Sequence, residues 1–138
     1  MVLFSLMTCA FAGTGLIINH PRNPSHQIDR YSIKCDKQCS LEILESKSLK
    51  GSSKLVAFEP QISEIFDLVS NGQFPMSNKT PLHKVLYKIE ANHKGKEVEV
   101  ILGYPKSYQG TEFQKYSALV SRIEEIKKTM REEIKENE

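Results

Sequence analysis

The chain contains no tryptophan, and its aromatic residues amount to only 8%. That leaves little material for an aromatic platform on which sugars or bases could stack. Its charges almost cancel, with 19 Lys and Arg against 17 Asp and Glu and a formal net charge of +2 at pH 7. No basic stripe with interleaved aromatics accompanies that balance, so nucleic acid is not an expected partner. The phosphate-cradling glycine-rich loop, the His-Glu-x-x-His zinc motif and the Gly-x-Ser-x-Gly nucleophile elbow are all missing. No cofactor is expected.

What is present suits one ordinary domain. The chain has 138 residues, 39% of them hydrophobic and 26% charged, which is enough for a modest core. A chain of this length buries a smaller share of its surface than a large domain does, so a cross-link would help it.

The N-terminus carries the strongest signal about compartment. No charged side chain precedes Arg22. Val2-Leu-Phe-Ser-Leu-Met7 reads as the end of a signal-peptide apolar region, and Ala10-Phe-Ala12 before Gly13 has the small-x-small form of a cleavage site. The expectation is a signal at 1–12, short or truncated at its start, and an exported protein, periplasmic or secreted. Three other readings compete. Leu6-Met-Thr-Cys9 faintly resembles a lipoprotein box, Met1 to Ile18 is close to the ~20 residues of a membrane anchor, and the segment could be a buried strand. The membrane is a partner only if this N-terminus is retained or lipidated. Export removes or modifies Cys9 and leaves Cys35 and Cys39, an even number in a compartment that permits disulfides.

Residues 13–29 read as a leader and linker. Leu16-Ile-Ile18 is a short apolar patch, and Pro21 and Pro24 interrupt regular structure. Residues 30–127 read as a single α+β domain. Tyr31, Ile33 and Cys35 alternate with polar residues, as do Cys39, Leu41 and Ile43, which predicts a hairpin. Lys50-Gly-Ser-Ser53 reads as a turn, and Leu55-Val-Ala-Phe58 as a short third strand. Pro60 suits a first helical position, and Ile62, Ile65, Phe66 and Val69 follow at helical spacing up to a stop at Asn71-Gly72. Val85, Tyr87, Ile89 and Ala91, a turn at 92–95, then Val98, Val100 and Leu102 form the clearest hairpin. Thr111 and Gln114 have capping-box spacing and open a helix whose face carries Phe113, Tyr116, Val120, Ile123, Ile126, Met130 and Ile134. Its charged end, 128–138, is expected to project or fray. If the domain leaves Ile126, Met130 and Ile134 uncovered, they could meet a partner helix.

The expected architecture is an antiparallel sheet of about five strands with two helices packed on one face, since each element has one apolar side to bury. Tyr31-x-Ile33 with Leu41-x-Ile43 echoes Tyr87-x-Ile89 with Val98-x-Val100. That echo is either a duplicated hairpin-helix unit or the chance likeness of two amphipathic hairpins.

Few residues could carry chemistry. Cys35 and Cys39 could be a redox pair, two ligands of a metal site, free thiols or a disulfide. Redox pairs use a spacing one residue shorter at a helix start. A metal needs more ligands than two, and no spacing ties the cysteines to His20, His26, His83 or His93. Across a three-residue loop the two cysteines face each other, so a structural disulfide is expected and no metal. His83 begins a predicted strand and could be partly buried. Gly103-Tyr-Pro-Lys-Ser-Tyr-Gln-Gly110 offers Tyr104, Lys106 and Tyr108 on a loop held by rigid elements, a common form of binding surface. The alternative is that Tyr104 and Pro105 close the end of the core. Asn78-Lys-Thr80 matches a glycosylation sequon, relevant only in a eukaryotic secretory pathway.

The function expected from these features is an exported, non-enzymatic binding or accessory module with a protein partner, such as an inhibitor or an envelope-assembly factor. The alternatives are a small hydrolase in which His83 or His93 meets a carboxylate, and a membrane-tethered structural protein.

Overall fold

The computed structural model of the chain describes residues 13–22, 27–72, 74 and 80–136. The readings of residues 1–12 with Cys9, of His26 and of the Asn78 sequon lie outside the described residues.

Six strands form one antiparallel sheet: β1 (Thr14–Pro21), β2 (Ile28–Cys35), β3 (Gln38–Leu44), β4 (Ser48–Lys54), β5 (Tyr87–His93) and β6 (Lys96–Leu102). Their spatial order is β4-β3-β2-β1-β5-β6. Two helices, α1 (Leu55–Asn71) and α2 (Gly110–Glu136), pack on one face. The expected α+β class is therefore observed, with one strand more than anticipated. No helix among the described residues is long and apolar enough to cross a membrane.

The largest correction concerns 13–29. Most of that stretch is no linker. β1 is central, paired with β2 on one side and β5 on the other. Leu16 and Ile18 point under the helices and are fully buried, while Gly15 and Ile17 lie on the opposite face. Two inward residues are too few to show a period of two by themselves. Pro21 is tolerated because it ends the strand.

The other corrections follow from the same physics. Lys50–Ser53, expected to be a turn, lies within the edge strand β4, polar because only one side of it meets the core. Leu55–Phe58 forms the first turn of α1 rather than a strand, so Pro60 lies inside the helix. The carbonyl that its missing N–H would have bonded belongs to Val56, which is 78% exposed and can be solvated. Gly72 does not take the left-handed cap conformation, having φ −92°. A side chain there would strike the ring of Phe74, which folds back over it.

The β5–β6 hairpin turns at Lys94 and Gly95, both at positive φ, as a two-residue turn requires. Tyr116, Leu119, Ile123, Ile126, Met130 and Ile134 of α2 are buried, but Phe113 is 40% exposed. The charged end of α2 does not project through residue 134. Ile134 packs so closely on Gly51 of β4 that a Cβ there would lie 3.0 Å from it. The apolar face that could have met a partner helix is thus covered by the sheet.

Candidate functional site

Cys35 and Cys39 lie directly opposite in the β2–β3 register. They form a disulfide with Cα atoms 4.0 Å apart, and both are buried. Among the described residues no cluster of three or more His, Cys, Asp or Glu is placed to hold a metal.

The histidines are dispersed. His83 sits in a 3-10 turn, Leu82–Lys84, and is exposed rather than starting a strand. His93 lies 5.8 Å from the Phe66 ring. His20 Nδ1 donates to the Leu86 carbonyl at 2.7 Å, and its ring leans on Tyr87 at 5.1 Å. No hydrogen bond or ion pair joins a histidine to a carboxylate among the described residues.

The Tyr104–Tyr108 loop separates into two roles. Tyr108 is only 4% exposed and is stacked on Tyr116 at 4.0 Å. Its hydroxyl accepts from the Gly103 amide at 2.8 Å, and the Tyr116 hydroxyl donates to the Gly103 carbonyl at 2.7 Å. Both polar groups of Gly103 are thereby fixed. Burial raises the hydroxyl pKa of each tyrosine, that of Tyr116 to about 12, so both stay protonated. Tyr108 braces the loop instead of presenting a surface. A short 3-10 turn, Pro105–Ser107, then displays Lys106 in solvent beside a half-buried Tyr104. The exposed ring of Phe113 lies one turn of α2 before Tyr116.

A second polar constellation joins residues that no sequence motif connects. Lys127 of α2 stands over the rings of Tyr31 and Tyr87, at 4.8 and 5.1 Å, and donates to the Tyr87 hydroxyl at 3.0 Å. Tyr87 in turn donates to Glu124. Arg131 grips Glu45 with two nitrogens at 2.9 and 2.7 Å, and Tyr31 donates to the same carboxylate at 2.8 Å. The Arg131 hydrogen bond pulls Glu45 down to about 2. Burial raises both tyrosines and lowers Lys127. Neither tyrosine supplies a phenolate, and all the polar ends are used internally. The constellation therefore ties α2 to both hairpins. The signals for it in the sequence are the echo that places Tyr31 and Tyr87 at matching hairpin positions and the helical spacing of Glu124, Lys127 and Arg131.

Compared with known protein families, curated proteins and solved structures, the chain matches none.

Proposed function

We propose that this protein is an exported, non-enzymatic binding or accessory module that meets a protein partner through Tyr104, Lys106 and the neighbouring Phe113. The observation that carries the reading is the bracing of Gly103 by two buried tyrosine hydroxyls. A loop held this way presents a tyrosine and a lysine at low ordering cost, which favours binding. Tyr108 contributes as a positioning residue. Export rests on the apolar leader, and the buried Cys35–Cys39 cross-link is compatible with it. The hydrolase alternative asked for a histidine beside a carboxylate and draws no support from His20, His83 or His93.

The test is affinity capture from an extracytoplasmic fraction with the wild-type chain and with a Tyr104→Ala/Lys106→Ala variant. A partner retained by the first and lost by the second, with equal thermal stability, is the expected result. Equal retention by both chains, or turnover of a small substrate abolished by one substitution elsewhere, refutes the reading.

A further inference from the structure

We infer that the face of the sheet opposite α1 and α2 holds a second site, at the opposite end of the strands from the Tyr104 loop, that binds a small zwitterion. The ligand class is an amino acid or short peptide with a free ammonium and a free carboxylate, seated over Gly15. This site does not depend on the partner surface proposed above.

The register builds the seat. Lys34 of β2, Gly15 of β1, Asn92 of β5 and Glu97 of β6 form one row across four strands. The next row is Ser32, Ile17, Glu90 and Glu99. All these residues share the face that α1 and α2 do not cover. With strands about 4.8 Å apart, Lys34 and Asn92 stand roughly 10 Å apart on either side of Gly15. Gly15 has no side chain to fill that gap, and Ile17 gives the trough an apolar floor. The result is a cavity of about 700 Å³, within the ~300–1,000 Å³ range of small-molecule sites.

The charges around it are arranged but not mutually satisfied. Among the described residues Lys34, Glu90 and Glu97 form no ion pair, and Glu99 reaches only Lys88, at 3.6 Å. Glu90 is directly opposed to Glu99 across β5 and β6; Lys88 answers Glu99 alone, which leaves Glu90 beside a like charge without a counter-charge of its own among the described residues. Asn92, which lines the same cavity, has its Oδ1 shut off from solvent without a donor. Buried acceptors are normally paired. A ligand ammonium answers the β5–β6 side, where turning the Asn92 amide offers it a further acceptor. A ligand carboxylate answers Lys34. A simple cation would satisfy one wall and be repelled by the other.

The test is a titration of the isotopically labelled full chain with L-alanyl-L-alanine, its N-acetyl derivative and its C-terminal amide. Binding is followed through the backbone amide resonances of Gly15, Lys34 and Asn92. The free dipeptide is expected to give saturable shifts at all three, and each capped form to bind about tenfold more weakly or worse. Lys34→Gln should remove the preference for a free carboxylate, and Glu97→Gln the preference for a free ammonium. Gly15→Val should block binding. Should its added carbon, 3.2 Å from the Ile33 carbonyl oxygen, prevent folding, the two exposed-residue variants still decide. No saturable shift up to about 50 mM, equal binding of the capped forms, or folded Lys34→Gln and Glu97→Gln chains that behave as wild type would overturn the site.

Discussion

At the scale of single residues, Glu45 is the clearest case of a side chain whose charge holds the fold together. Its carboxyl is pulled from an ordinary 4.5 to about 2 because Arg131 and Tyr31 both favour the charged form. A depressed carboxylate contributes stability that is complete above pH 4.5 and is lost as pH falls from there toward 2. Glu45→Gln is expected to cost about 1 kcal/mol at neutral pH, allowing for solvent screening. It should also flatten the loss of stability over that acid range, as urea unfolding at a series of pH values would show. An acid limb identical in both proteins would contradict the assignment. The disulfide behaves differently. It closes a very short loop, so Cys35→Ser/Cys39→Ser should still fold, with a loss near ~1–2 kcal/mol, the low end for such cross-links.

At the scale of elements, what the sequence revealed depended on how many residues each element commits to the core. The β5–β6 hairpin commits three inward residues per strand, and its outline was legible. α2 commits six buried residues along one face and was legible too, except that Leu119 is buried while Phe113 is exposed and Val120 only partly covered. β1 commits two, Leu16 and Ile18, followed by a proline, so its sequence reads as a linker. β4 has almost no apolar residue because it is an edge, and Leu55–Phe58 is too short an apolar run to separate strand from helix. Helix α1 carries its own weak point. Pro60→Ala restores a missing hydrogen bond in the helix and should stabilise the protein by roughly 1–2 kcal/mol. The docked end of α2 predicts the opposite effect for Ile134→Ala, a loss of about 2–4 kcal/mol. Thermal or urea melts of both variants measure these values. A negligible effect of Ile134→Ala would mean that the last turns of α2 do not belong to the core.

For the whole molecule, the described residues cover the sheet with α1 and α2 on one side only, and its two ends differ. One end is bound up in the tyrosine, lysine, arginine and glutamate network and continues into the braced Tyr104 loop. The other carries the trough over Gly15, beside the disulfide hairpin. The candidate binding loop was visible in the sequence as tyrosines between rigid elements. The division of labour within it was not, because which tyrosine turns inward depends on Tyr116, which lies on a different element. The contact surface proposed at Tyr104 and Lys106 is tested most directly by in-cell photo-crosslinking with a photoreactive residue at Tyr104, against the same probe at Lys50 on the far edge strand. A discrete cross-linked partner at Tyr104, absent at Lys50, is the predicted result. No adduct at Tyr104, or the same adducts at both positions, would contradict it.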